Sequence, residues 1–163
     1  MALFGRRARA DANLAGAIYG VITATAVIAA TSAHGESIVA TLAGTVATLV
    51  VFWLAHVYAE VLAHHLSGGH RPSMAVVRAA LVKQLPVIEA PAPSVLLLLL
   101  GALGLLEPVR AVNLALWTGV AQLAAWGIAY ARQQGWPWSV AAVAGVINGG
   151  LGASVIVLKA LIH

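Results

Sequence analysis

The sequence contains no cysteine in its 163 residues, and only 9% of its residues are charged. The lack of cysteine excludes a disulfide framework and a thiolate metal site. Soluble domains have about a quarter charged residues, so the scarcity of charge excludes an ordinary soluble domain. Hydrophobic residues make up 61% of the chain, and the mean hydropathy is +0.94. The composition therefore predicts an integral membrane protein.

Long uncharged segments divide the chain, and a transmembrane helix needs roughly 20 apolar residues. We predict an all-α fold with a single transmembrane domain over 1–163 and five transmembrane helices. The predicted spans are 12–31, 38–63, 87–106, 111–131 and 138–161. Segment 67–85 is predicted to be a cytoplasmic loop or an amphipathic helix along the inner surface. The alternative is an even number of crossings with one re-entrant segment.

Orientation follows from the basic residues, which favour the cytoplasmic side of a membrane. They lie between apolar segments, so we interpret them as topology signals and not as a nucleic-acid-binding surface. With the N-terminus inside, only Arg110 and Lys159 lie outside. The cytoplasmic set is Arg6, Arg7, Arg9, Arg71, Arg78, Lys83 and Arg132. This bias predicts an inside N-terminus and an outside C-terminus, and the Ala-, Val-, Gly- and Arg-rich composition is typical of a bacterial plasma membrane.

Two pairs of glycines are spaced for close helix packing. Gly16 and Gly20 lie four residues apart in the first span, and Gly145 and Gly149 lie four apart in the fifth. Small residues at this spacing let helix backbones approach closely inside lipid. The pattern leaves two interpretations open, which are packing within one chain and a homodimer seam.

A polar stripe runs along the second span. His56, Glu60 and His64 are spaced i, i+4 and i+8, so they share one helix face. Extending the same face backwards brings in Thr48, Thr45 and Thr41. Lipid does not tolerate such a face, so we expect it to look into protein or water.

Further polar residues are expected at the same inner depth. Glu89 follows Pro86 and precedes Pro91 and Pro93 at the start of the third span, and the first span contributes a second set. That set is Asp11 and Asn13 at the inner end of the first span, with Tyr19 and Thr23 one and two turns deeper. Imidazoles and carboxylates without thiolates are suitable ligands for Fe(II), Mn(II), Zn(II) or Co(II). The same groups also carry protons, because histidine titrates near neutral pH. A structural hydrogen-bonded pair at His56 and Glu60 and interfacial polar residues at the span end are the alternatives.

The first two spans resemble the vacuolar iron transporter family. The family's first span has the pattern G-A-x-D-G-x-x-T, and 16-GAIYGVIT-23 matches it at Gly16, Ala17, Gly20 and Thr23. In the second span, His56 stands at the family's Met position and Glu60 at its Glu position, and both family residues lie along the metal path. Segment 124–162 is similar to the family's last two spans. The resemblance implies a homodimer of five-helix protomers that exchanges metal for protons along the dimer interface.

The sequence departs from that family in two places. Tyr19 stands where the family has an aspartate of its transport path, and only 67–84 replaces the family's long acidic metal-binding insert. Storage of metal by an acidic cytoplasmic domain is therefore not implied.

Three functional hypotheses remain. The first is a small transporter of divalent transition-metal cations, proton-coupled or not, whose path includes His56, Glu60, Glu89, His64, Tyr19 and Thr23. The second is a proton or monovalent-cation pathway, and the third is a non-transporting scaffold or accessory subunit. An enzyme is not expected, because six His and five acidic residues scattered over both faces are too few for a membrane di-iron site. We expect the lipid bilayer and a second copy of the chain as partners, with no covalent cofactor and no catalytic residue.

Overall fold

The protein is described by a computed structural model that covers residues 2–68 and 73–162. Every regular element in these two ranges is a helix, which confirms the predicted all-α fold. Four helices are long and apolar enough to cross a membrane, and a bent set of shorter helices forms a fifth candidate span. The helices are α1 (Ala2–Ala33), α2 (Ile38–Gly68), α3 (Met74–Lys83), α4 (Pro86–Glu89), α5 (Ala92–Ala102), α6 (Pro108–Gln133) and α7 (Trp138–Ile162).

Tight turns connect the long helices as antiparallel neighbours. Gly35 and Gly135 follow the ends of α1 and α6 with φ of +71° and +77°, a left-handed conformation that glycine adopts without a steric penalty. The turn before α6 ends at Glu107, and Pro108 follows as the first residue of that helix. Proline is favoured there because its missing N–H would be unsatisfied in any case. These turns leave each long helix packed against the next one in sequence.

The third predicted span, 87–106, is not one straight helix. The axis bends by 58° between the α3–α4 segment and α5. The bend has a local cause, since Pro91 has no N–H to donate to the carbonyl of Val87, and its ring clashes with the preceding turn. Helix α5 has only 11 residues, about 16 Å, which is too short for the hydrocarbon core of a bilayer.

The segment predicted as a loop or amphipathic helix, 67–85, contains α3. Ser73 caps this helix, accepting a hydrogen bond from the backbone N–H of Val76 through its side chain. Helix α3 packs along α2, where the indole Nε1 of Trp53 donates to the carbonyl oxygen of Leu81 over 3.3 Å. Together, α3, α4 and α5 therefore form one long and bent unit.

This bent unit runs the full length of α2. At one end, Lys83 lies beside Glu60 near the C-terminus of α2. At the other end, a Cβ at Gly101 would lie 2.9 Å from Ile38, the first residue of α2. Contacts at both ends of a membrane-crossing helix are those expected of a complete crossing, so five crossings stay the prediction for this chain.

The buried core lies where α1, α5 and α6 meet. It is a cluster of apolar side chains, and Ile28, Leu98 and Leu116 are among its least exposed members. The remaining cluster members are Ala29, Val112 and Ala115. Large apolar residues also cover the outside of the bundle, such as Val51, Leu96 and Val146, each more than half exposed. An apolar exterior around a small core fits a protein whose solvent is lipid.

Candidate functional site

Glu60 is joined to the bent unit by an ion pair. Its Oε1 lies 2.6 Å from the Nζ of Lys83, and its Oε2 accepts a longer hydrogen bond of 3.5 Å from the Nε2 of Gln84. Both charged side chains are a little over one-third exposed. The carboxylate therefore connects α2 to the end of α3 while remaining accessible from one side.

His56 lies one helical turn before Glu60. Its Nδ1 is 2.8 Å from the carbonyl oxygen of Phe52. A carbonyl only accepts hydrogen bonds, so Nδ1 carries the proton and, in the neutral ring, Nε2 is left as a lone-pair donor to a ligand or proton. The ring also contacts Tyr19 of α1, with centroids 6.0 Å apart. His56 is thereby held in one orientation at the α1–α2 contact.

His64 lies one turn after Glu60, in a cleft between α2 and α3. The cleft has a volume of about 170 Å³ and carries a carboxylate, an imidazole and an ammonium group. Its lining residues are Glu60, His64, Val76, Ala79, Ala80 and Lys83. The C-terminal end of α2 thus holds a small polar cleft with three ionisable side chains.

The N-terminal half of the predicted stripe on α2 is packed against protein. Thr41 and Thr45 are fully buried, and the Thr45 hydroxyl donates to the Thr41 carbonyl over 2.7 Å. The Thr48 hydroxyl donates to the carbonyl of Gly44 in the same way, over 2.8 Å. The Thr45 and Thr48 hydroxyls are thus satisfied by the backbone of their own helix, whereas the buried Thr41 hydroxyl has no hydrogen-bond partner among the described residues. Among the described residues, the polar face of α2 is therefore open to solvent or ligand towards its C-terminal end.

The other predicted site residues are spread out. Glu89 is exposed at the end of α4, and none of the described residues forms an ion pair with it. Thr23 is half-buried and Tyr19 is 58% exposed on α1. The side chain of Asp11 lies outside those described. Within the described ranges, no three His, Cys, Asp or Glu residues come together to hold a metal ion.

The paired glycines lie at contacts between helices of the same chain. Gly16 and Gly20 face Val87 of α4, and Gly20 lies directly against its carbonyl oxygen. A Cβ at Gly145 would lie 2.6 Å from Ile128 of α6, and one at Gly149 would lie 3.2 Å from Ala124. Both pairs are thus used where two helices of one chain approach each other.

Two residues of the site, and one polar residue elsewhere in the bundle, were not predicted from the sequence. Lys83 and Gln84 approach Glu60 only because α3 turns back along α2. No pattern in the local sequence predicts that packing. Gln122 was also not predicted as a functional residue. The sequence did offer an indication, because Gln122 is an amide within an otherwise apolar part of α6. Its Nε2 donates to the carbonyl oxygen of Ala90 over 2.9 Å.

Comparison with protein-family models, with curated proteins and with solved structures gave no match. The resemblance to the vacuolar iron transporter family consequently stays a prediction from short motifs in the first two spans and in segment 124–162.

Proposed function

We propose that this membrane protein transports cations and that Glu60 is the carboxylate that binds them at the inner end of the bundle. The observation that carries the proposal is the 2.6 Å contact between Glu60 and Lys83, which lie on different elements. The other ion pair among the described residues, Glu107 with Arg110, joins neighbours three positions apart and is largely exposed. Ionisable groups on membrane helices are costly and are commonly kept for function.

Lys83 acts in this proposal as a tethered cation. Its ammonium group occupies the carboxylate when no other cation is present, so the charge of Glu60 stays neutralised at the membrane boundary. An arriving cation competes with Nζ for the carboxylate oxygens and displaces the lysine side chain. Gln84 then keeps a hydrogen bond to the second oxygen and limits its rotation.

The proposed cargo is a divalent transition-metal cation such as Fe(II), Mn(II), Zn(II) or Co(II), exchanged for protons. The Nε2 of His56 and the carboxylate of Glu60 lie one turn apart on α2, and imidazole with carboxylate is a suitable ligand pair for these ions. Among the described residues, one chain supplies these two ligands at this level and no three-ligand group. A homodimer that pairs the α1–α2 surface, where Tyr19 is 58% exposed, would bring two such pairs together.

A proton or monovalent-cation pathway is the second candidate. It is favoured by the lack of any three-ligand group among the described residues. In this version, His56 and Glu60 pass protons along the inner part of α2, and no metal is bound tightly. A bacterial plasma membrane is the proposed location for either function.

Transport by protein reconstituted in liposomes tests the proposal. Metal-sensitive and pH-sensitive dyes inside the vesicles would report entry of Mn(II) or Fe(II) and movement of protons separately. We expect Glu60→Gln to slow cation entry about tenfold or more, equivalent to losing about 1.4 kcal/mol of binding. Lys83→Met removes the competing ammonium group, so we expect a higher apparent affinity for the cation.

Glu107→Gln is the matched control, because it removes an exposed ion pair at the opposite end of the bundle. If Glu60→Gln lets cations enter at the wild-type rate, or if the wild-type protein transports no cation, the proposal is wrong and a scaffold or accessory role is favoured. Thermal melts with the four metals add a binding readout, since a ligand of the folded state raises the melting temperature. A metal-specific rise that disappears in His56→Ala supports metal as the cargo, and proton flux without such a rise supports the second candidate.

A further inference from the structure

The bend between α4 and α5 leaves backbone oxygens without helical donors. We call residues 87–93 the proline break. Pro91 and Pro93 have no N–H, so the helical hydrogen bonds to the carbonyl oxygens of Val87 and Glu89 cannot form. Irregular backbone at membrane depth is tolerated only where it packs on protein or lines a cavity.

The side chain of Gln122 of α6 packs against one side of the proline break. Its Nε2 donates to the carbonyl oxygen of Ala90 over 2.9 Å, which fixes the side-chain amide against the bend. Its Oε1 is buried and has no hydrogen-bond partner among the described residues. A buried acceptor without a partner is unfavourable, so a donor or a cation is expected beside this atom.

The amide lies where three helices meet. Gly119, one turn before Gln122 on the same face of α6, contacts Thr25 and Val21 of α1. Gly20, one residue before Val21, contacts the carbonyl oxygen of Val87 in the proline break. Close approach at the two glycines places α1 against α4 and against α6, and the hydrogen bond from Gln122 to Ala90 joins α6 to the end of α4.

The geometry points to a binding site for a monovalent metal cation, of the size of Na⁺ or K⁺, at the junction of Gln122 and the proline break. The proposed ligands are two neutral oxygens, the amide Oε1 of Gln122 and the backbone carbonyl of Glu89, because the carbonyl of Val87 is covered by Gly20. Neutral oxygens bind hard alkali cations, and carbonyls of broken membrane helices coordinate such ions in transporters. Without a carboxylate or imidazole ligand, the site does not suit transition metals.

This site is separate from Glu60. From Gln84, which contacts Glu60, the chain reaches Ala90 six residues later, a distance of about 9 Å along helical geometry. Binding of this cation does not depend on the proposed transport activity. A role of this site as a second binding site along the transport path does rest on the proposed function.

Thermal unfolding of the detergent-purified protein tests the site, with NaCl or KCl replacing choline chloride at constant ionic strength. We expect one alkali cation to raise the melting temperature by about 3–6 °C when its concentration is about ten times the dissociation constant. Gln122→Met keeps the length of the side chain but removes both amide atoms, so it should abolish the rise. Asn148→Ala is the control, because it removes a half-buried amide of α7 that bonds its own helix at Ala144.

Gln122→Lys gives a second readout that does not require loss of stability. Its ammonium group can donate to Ala90 and occupy the site permanently, so this variant should be stable in choline chloride and insensitive to Na⁺ and K⁺. Equal melting temperatures of the wild-type protein in the three salts would overturn the inference and leave a water molecule at Oε1. An undiminished rise in Gln122→Met or Gln122→Lys would overturn it as well, whereas Glu60→Gln should retain the rise.

Discussion

Single atoms decide how closely the helices of this protein approach one another. At Gly20, a Cβ would lie 2.9 Å from the carbonyl carbon of Val87 and still closer to its oxygen. The obstacle is backbone and cannot move as a flexible side chain would. At Glu60, by contrast, the contact with Lys83 is made by two long side chains that can separate without changing the backbone. The chain therefore combines rigid packing at Gly20 with an exchangeable ion pair at Glu60.

Gly20→Ala should destabilise the protein by about 1–3 kcal/mol, because overpacking a close helix contact forces the backbones apart. Gly150→Ala is the control, since a Cβ at Gly150 meets nothing within 4 Å. That control should be neutral or stabilising by up to about 1 kcal/mol, the difference in helix propensity. Melting temperatures in one detergent compare the two variants. Equal stability of both would mean that α1 and α4 do not touch at Gly20.

Among the elements, the bent unit of α3, α4 and α5 differs most from an ordinary membrane helix. Its bend has two sources that can be separated by experiment. Pro91 and Pro93 remove helical hydrogen bonds, and the contacts of Val87 with Gly20 and of Ala90 with Gln122 hold the bent form in place. The first source acts within the segment, whereas the second depends on neighbouring helices.

Replacing Pro91 and Pro93 together by alanine should straighten the unit, because both N–H donors return. Spin labels on cysteines at Arg78 and Leu99, which are exposed, would report the distance between its two arms. Straightening a bend of 58° should lengthen that distance by about 3–4 Å, given a rise of about 1.5 Å per residue. Pro108→Ala is the control, as proline in the first turn of α6 does not break a helix. An unchanged distance would assign the bend to the contacts with α1 and α6.

The sequence was sufficient for the elements whose signal is local. Long apolar segments predicted α1, α2, α6 and α7, and the prolines marked where the third span is irregular. It was not sufficient for the partner of Glu60, because Lys83 reaches it only through the return of α3 along α2. The stripe prediction described one face of α2 correctly as a pattern, yet Thr41 and Thr45 are buried by packing that depends on other helices. Contacts between distant segments depend on how the whole bundle packs, so the residue type at a single position does not predict them.

For the whole molecule, the central question is how many times the chain crosses the membrane. Contacts at both ends of α2, with Lys83 and with Gly101, support a complete crossing by the bent unit. Five crossings place the two termini on opposite sides, whereas a re-entrant unit would place them on the same side. The distribution of Lys and Arg predicts that the side with Arg78 and Arg132 is the cytoplasm.

Single cysteines distinguish the two topologies, and the chain has no native cysteine to interfere. We expect a membrane-impermeant maleimide to label Glu36→Cys and Leu105→Cys on intact cells, and Ser73→Cys and Gln134→Cys only after the membrane is opened. All four positions are exposed on the connections between helices, so reactivity should report sidedness and not burial. In a re-entrant arrangement, Leu105→Cys would be protected together with Ser73→Cys, and Gln134→Cys would react from outside. The two labelling patterns differ at Leu105→Cys and Gln134→Cys. Glu36→Cys and Ser73→Cys behave alike in both topologies, so these two variants serve as internal controls for labelling from outside and from inside.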